Sequence, residues 1–225
     1  MRKVIVGAFV SMDGVMQAPG GPEEDPTGGF KFGGWVAPQA DIDSVFGEEV
    51  GKLFGQPFDL LLGRRTYDIF AAHWPYAEGG PYDDIAKMFN RITKYVATRK
   101  GVDLTWKGSV ALRDAAKDVA KLKQEDGPAL VTQGSTELVH ALLAAGLVDE
   151  IRTFTFPVVL GKGKRLFRDD SQPRAFKLTH SAVSPNGLIA ATYRRDGEVK
   201  TATVGGANEP SAAELARREK LKQEV

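Results

Sequence analysis

The chain has 225 residues, with 30 Lys and Arg against 29 Asp and Glu, a formal net charge of +1. That length holds one domain or at most two, its 42% hydrophobic and 26% charged residues exclude a disordered chain, and the balanced charge argues against a nucleic acid or an anionic membrane as partner. Cysteine is absent, which excludes a disulfide framework, a thiol nucleophile and cysteine-bound metal, and His73, His140 and His180 form no metal motif, so no metal site is expected.

Arg2-Lys3 followed by the apolar residues 4–10 faintly resembles the start of a signal peptide. No small-residue cleavage site follows, so the run reads as a first buried strand and the protein as cytoplasmic. No later apolar run nears the ~20 residues that cross a membrane.

Residues 17–34 hold six glycines and three prolines around Phe30 and Phe32. A loop this long is usually functional or disordered, and its aromatics, with Trp35, favour a loop packed over something. Ile42, Val45, Phe46, Val50 and Leu53 predict a helix over 41–54. A strand at 58–62 runs into Gly63, and Arg64-Arg65-Thr66 opens a helix with Tyr67, Phe70 and Trp74 on one face. Pro81 suits the first turn of another helix, carrying Ile85, Met88 and Phe89. A strand at 95–98, a helix from Leu112 to Leu122 and a strand at 129–132 follow. Gly134-Ser135 opens a helix that Gly146 stops.

Strand alternating with helix predicts a parallel sheet covered on both faces. Residues 151–156, 176–179 and 188–194 are strand-like with no helix between, so the expected fold is α/β with a mixed, mostly parallel sheet and antiparallel strands at its C-terminal edge. Residues 1–204 read as one domain. Residues 205–225 read as a charged tail, helical or disordered, with a Ser211/Glu214 capping pattern.

Two strand-to-helix junctions carry anion chemistry. In Leu62-Gly63-Arg64-Arg65-Thr66 the glycine permits a tight turn, the helix start offers free amides, and two arginines add charge-assisted donors suited to phosphate. Thr132-Gln133-Gly134-Ser135-Thr136 repeats the arrangement with hydroxyls. Thr98-Arg99-Lys100 is a third cationic spot past a strand end. In an open parallel sheet ligands sit at the carboxyl ends of strands, so the three can converge on one polyphosphate ligand. Neither a GxGxxG fingerprint nor a P-loop is present.

Taken in order, these stretches resemble the dihydrofolate reductase-like superfamily, and within it the group related to the C-terminal reductase domain of the riboflavin-pathway deaminase–reductase. The resemblance rests on Ser11-Met12-Asp13-Gly14-Val15, Leu61-Leu62-Gly63-Arg64-Arg65-Thr66-Tyr67, Tyr95-Val96-Ala97-Thr98-Arg99 and Val131-Thr132-Gln133-Gly134-Ser135. Its most distinctive part is Gly146-Leu147-Val148-Asp149-Glu150-Ile151 continuing to Pro157-Val158-Val159-Leu160-Gly161-Lys162-Gly163-Lys164-Arg165-Leu166-Phe167.

The resemblance implies an NADPH-binding reductase of the dihydrofolate reductase-like fold. Arg64 and Arg99 would face the cofactor's 2′-phosphate, with Thr98 nearby. Gly63 and Thr66 would lie along the pyrophosphate beside Arg65, and Gln133, Gly134, Ser135, Thr136 and Glu137 would cover its other side. Ala8 and the 11–15 loop would lie against the nicotinamide, with Phe32 and Trp35 as a substrate wall. Asp13 is the nearest loop carboxylate, a turn residue or a proton relay. Gln133 replaces the first glycine of the superfamily's Gly-Gly pair, and the 133–134 peptide bond is expected to be cis, as in that pair.

The implied reaction is reduction of a heterocyclic small molecule, as in 5-amino-6-(5-phosphoribosylamino)uracil reductase, by the reductase half alone, since no deaminase zinc motif is present. The alternatives are a non-catalytic NADPH-binding module and dihydrofolate reductase. The last is least favoured because Ala40 stands where the Trp35-x-x-Pro38 motif leads to an acid, and Asp41 comes one residue late. A homodimer is expected, since Phe154 and Phe156 share one face of a strand placed near the sheet edge with no later helix to cover them.

Overall fold

The apolar stretch that opens the chain becomes β1 (Val4–Ser11), which sits inside an eight-stranded sheet of order β4-β3-β2-β5-β1-β6-β8-β7 in a computed structural model of the protein. Residues 1–40, 44–99, 103–204 and 209–224 are described. The other strands are β2 (Phe58–Gly63), β3 (Lys94–Ala97), β4 (Ser109–Leu112), β5 (Ala129–Gln133), β6 (Glu150–Phe156), β7 (Phe176–Val183) and β8 (Ile189–Arg195). Helices α1 (Ala37–Ala40), α2 (Ser44–Phe54), α3 (Arg64–Ala71), α4 (Asp83–Arg91), α5 (Ala115–Gln124), α6 (Thr136–Ala144) and α7 (Ala212–Lys222) alternate with them.

Alternation along β1 sends side chains to two cores. Ile5 joins a core with Leu60, Leu62, Val131, Phe154 and Phe156, closed by Leu53 and Phe54 of α2, Tyr67 of α3 and Phe89 of α4. Val4, Val6, Ala8 and Val10 face the opposite way and pack with Val119 and Leu122 of α5 and Leu138, Val139 and Leu142 of α6. β1 pairs in parallel with β5 and β6, and β2 pairs in parallel with β3 and β5. β8 runs antiparallel to both β6 and β7. The mixed α/β sheet with an antiparallel C-terminal edge is therefore as expected.

Three expectations are corrected. The helix read from Leu112 begins three residues later at Ala115, and Leu112 instead ends β4, a strand whose other three side chains are not buried and so show no core pattern. Trp74 lies beyond the end of α3, in a 3-10 turn. Phe154 and Phe156 are fully covered, by Phe9, Phe46 and Trp35, because α2 arrives from the N-terminal half of the chain to lie over β6. β6 is also internal, and the edge on that side is β7. The stated reason for pairing of chains thus disappears. In the tail, Ser211 caps α7 by accepting from the Glu214 amide, and α7 contributes no buried residue.

Candidate functional site

Because β3, β2, β5, β1 and β6 are parallel, their carboxyl ends line one edge of the sheet. That edge gathers Thr98 and Arg99, then Gly63 to Thr66, then Gln133 to Glu137, then the 11–15 turn and the segment after β6. Ligands of open α/β sheets bind at such an edge.

At its centre the β2–α3 and β5–α6 junctions are joined. The Gly63 amide donates to the Ser135 hydroxyl at 2.8 Å. A Cβ on Gly63 would stand 3.0 Å from the Ser135 Cβ, so a larger residue there would push Ser135 away by a few tenths of an ångström. Ser135 is the N-cap of α6, yet its hydroxyl makes no cap bond to its own helix, and α3 has no side-chain cap either. Two helix starts, with their positive dipole ends, thus lie side by side without side-chain caps. Thr66 Oγ1 lies 3.9 Å from where a Cβ on Gly134 would be, which brings that hydroxyl to the same place.

The Gln133–Gly134 bond is trans, which corrects the cis expectation. The chain leaves β5 through two consecutive left-handed residues instead, Gly134 (φ 83°) and Ser135 (φ 66°). Serine rarely takes that conformation, and such residues gather at ligand sites. The Gly134 amide points to the Gly7 carbonyl at 3.4 Å, while the Ser135 and Thr136 amides meet no protein acceptor among the described residues.

The cationic residues are not equivalent. Arg64 forms an ion pair with Asp68 one turn along α3, half-exposed on both sides. Arg65 turns toward the glycine-rich loop, donating to Thr27 Oγ1 at 2.9 Å and approaching Asp25 at 3.4 Å. Arg99 and Glu137 line a cleft of about 700 Å³ along α6, shared with His140 and Arg168. Glu137 lies 3.6 Å from Arg168. His140 Nε2 donates to the carbonyls of Arg165 and Leu166 at 3.0 and 3.1 Å. Thr98 is buried, its amide bonded to Leu112, and Ala8 is buried in β1. Lys100 and Asp41 lie outside the described residues, and Ala40 ends α1.

Asp13 is fully occupied. It accepts from the Ser11 hydroxyl at 2.6 Å and from the Leu160 and Gly161 amides at 3.1 and 2.9 Å, with Arg165 beside it. The Ser11 hydrogen bond, with the two amides, lowers its pKa to about 2 against the opposing effect of burial. An acid that strong holds no proton at neutral pH, so this geometry suits the turn reading.

The glycine-rich loop is ordered by packing. Phe30 and Trp35 are buried, and the Trp35 indole donates to the Gln17 carbonyl at 2.8 Å and meets Phe156 edge-on. Phe32 is 53% exposed and packs edge-on against Phe30, so it is the one of the two wall candidates that faces outward. Gln17, Asp25 and Lys164 hold this region together without any signal in the sequence, for each acts on a segment far along the chain. Among the described residues no three His, Cys, Asp or Glu side chains are placed to hold a metal ion, and no helix is long and apolar enough to cross a membrane.

Comparison with known proteins agrees with this architecture. A family model described as the RibD C-terminal domain matches residues 2–190. A relative from Bacillus subtilis (strain 168), "Uncharacterized protein YyaP", is 25% identical over 197 residues, 87% of this chain and 96% of that one. Among solved structures, a putative riboflavin biosynthesis protein from Shewanella sp. PV-4 has 19% identity and a TM-score of 0.55, covering 86% of this chain and 99% of its own. A dihydrofolate reductase from Enterococcus faecalis complexed with NADP(H) has 15% identity and a TM-score of 0.55, covering 86% and 96%. The deaminase/5-amino-6-(5-phosphoribosylamino)uracil reductase of Thermotoga maritima has 12% identity and a TM-score of 0.54, and the match spans 87% of this chain but 57% of that one.

Proposed function

The chain belongs to the RibD C-terminal domain family, and we propose that within it the protein is an NADPH-dependent reductase of a heterocyclic small molecule, of the kind that 5-amino-6-(5-phosphoribosylamino)uracil reductase represents. The observation that carries this reading is the pair of helix starts joined by Gly63 and Ser135. Two dipole ends lacking side-chain caps, with two amides directed at no protein acceptor, form a cradle for a diphosphate. A nicotinamide dinucleotide fits that donor set. Gly63, Thr66 and Gly134 to Thr136 would hold its pyrophosphate, and Arg64 and Arg99 would meet the 2′-phosphate. Ala8 and the 11–15 turn would border the ring.

When bound, NADPH supplies the hydride. The chain's own residues hold the donor and acceptor together and keep water out, which is most of what hydride transfer asks of a protein. Phe32 offers a flat apolar wall to a heterocycle. The engagement of Asp13 leaves no proton donor assigned, and this favours, as a second reading, a module that binds NADPH without turnover.

Titration with NADPH, followed by NADPH oxidation against a panel of ribosylaminopyrimidines and dihydrofolate, separates the two. Oxidation with a ribosylaminopyrimidine is expected. Binding without oxidation of any of them selects the second reading, and no binding rejects both.

A further inference from the structure

Asp25 lies in the glycine-rich loop, yet its carboxylate is 8% exposed as a residue and has partners from three segments. It accepts from Thr27 Oγ1 at 2.6 Å within the loop, forms an ion pair with Lys164 after β6, and lies 3.4 Å from Arg65 of α3. Thr27 Oγ1 joins the same two cations, at 2.9 Å from Arg65 and 3.0 Å from Lys164. The loop behind it is stiffened by Gln17, whose amide donates to the carbonyls of Asp25 and Thr27 and accepts from the Lys164 amide.

The sheet order gives this contact its meaning. Lys164 comes eight residues after β6 and lies against the residues that follow β1, its carbonyl accepting from the Met16 amide and its neighbour Arg165 pairing with Val15. Arg65 follows β2, and between β1 and β2 stands β5. At about 4.8 Å per strand the ends of β1 and β2 are roughly 10 Å apart. A single carboxylate reached by both cations therefore spans the end of β5, where α6 starts. The two sides of the bridge also differ. The Lys164 contact is close, whereas Arg65 is half-exposed and its contact is long. Burial works to raise the Asp25 pKa, but Lys164, Thr27 and Arg65 outweigh it and keep the carboxyl below its ordinary value, hence ionised.

We propose that Asp25 is a positioning residue that latches the glycine-rich loop across the phosphate cradle, with Lys164 as its fixed anchor and Arg65 as the arm that exchanges Asp25 for a phosphate of the bound ligand. The proposal rests on the cofactor reading above. The Arg65 contact is long and half-exposed on the arginine side, whereas a close charge-assisted contact to phosphate is stronger, so the exchange runs toward the ligand. The loop then remains held from the Lys164 side while Arg65 closes on the phosphate.

Lys31 is the single basic residue between 17 and 34 and is exposed, so trypsin cleavage after it reports loop opening without any assay of turnover. Asp25→Asn is expected to be cut there about tenfold faster than wild type, and to release NADPH about tenfold faster in stopped-flow fluorescence, with far-ultraviolet circular dichroism unchanged. Lys164→Gln keeps the carboxylate and removes the anchor. It is expected to behave alike, and it carries the test if Asp25→Asn does not fold. Equal cleavage and equal release in wild type and Lys164→Gln would overturn the latch. Faster cleavage with unaltered NADPH release would overturn its role toward the ligand. Failure of wild type to bind NADPH would instead overturn the cofactor reading, and with it that role, while the cleavage rates would still decide whether Asp25 holds the loop.

Discussion

The amide of Gly63 and the hydroxyl of Ser135 meet at 2.8 Å although 72 residues separate them. The serine hydroxyl that ordinarily caps its own helix is given to the neighbouring junction instead, and α6 begins without a side-chain cap. Ser135→Ala removes the acceptor and leaves the Gly63 amide unsatisfied in a half-buried place. The expected cost is about 1–2 kcal/mol of stability, read as a lowered denaturation midpoint, together with weaker NADPH binding. Gly63→Ala tests the same contact from the other side, since its Cβ would press within 3.0 Å of Ser135. If both variants match wild type in stability and NADPH affinity, the joined junctions are not the cradle.

These junctions were legible because turn chemistry is local. Gly63, Gly134 and the adjoining hydroxyls stand next to one another in sequence, and each marks the end of an apolar strand. The conformation at 133–135 was not legible, since the same Gln-Gly-Ser string serves a cis turn or a left-handed pair. Asp25 could not be found either, for its anchor Lys164 lies 139 residues away, and a carboxylate among prolines and glycines reads as surface. The misplacement of Phe154 and Phe156 has a similar origin. Their cover comes from Phe46 on α2, about a hundred residues earlier, and a strand's own sequence does not record which helix returns to lie on it.

If the proposed cofactor reading holds, Arg64 and Arg99 are expected to discriminate NADPH from NADH. Among the described residues Arg64 pairs only with Asp68 on its own helix, half-exposed on both sides, a contact worth roughly 0.3–0.5 kcal/mol. A charge-assisted contact with a 2′-phosphate is worth about 1.5–3 kcal/mol, so the arginine changes partner. Wild type is expected to prefer NADPH by about tenfold or more, and Arg64→Ala to lose most of that preference while binding NADH as before. Parallel titrations of the two nucleotides measure it, and equal affinities in wild type would remove the assignment.

Pairing of two chains is expected at a different place from the one the sequence suggested. β7 is one of the sheet's two edges and the longer, eight residues against the four of β4, with Leu178 and Val183 exposed. Lys177 is its single lysine or arginine, and the exposed His180 is tied to Glu49 at 3.0 Å. Long edges with few charges tend to be covered. Light scattering at micromolar concentration is expected to give a dimer, and Val183→Lys to shift it to monomer. A monomeric wild type would leave the edge bare.

Lys94 carries a pH dependence of the same sign as that of Asp13 and Asp25, because its pKa too is lowered on folding, but in an alkaline window. Its side chain is fully buried, with Nζ bonded to the carbonyls of Asn90 and Ile92 at 3.1 and 2.9 Å and placed over the Trp106 ring. Those two carbonyls end α4, so the ammonium serves the negative end of that helix. Burial nonetheless lowers its pKa from 10.5 to about 8, against a weaker upward pull from Asp59. Between pH 8 and 10.5 the unfolded chain therefore binds more protons at this site than the folded one, and the stability contributed by this group rises with pH across that window. Below about 8 both states are protonated and the burial cost is felt in full. Lys94→Met should abolish this rise while losing the contacts to the α4 carbonyls, so it is expected to be less stable at pH 7 yet flatter between pH 8 and 10.5. Urea midpoints at half-unit intervals, with wild type alongside, measure both effects. A wild-type midpoint that falls as steeply as that of Lys94→Met over the window would mean that Lys94 stays protonated, held by its carbonyls and the indole.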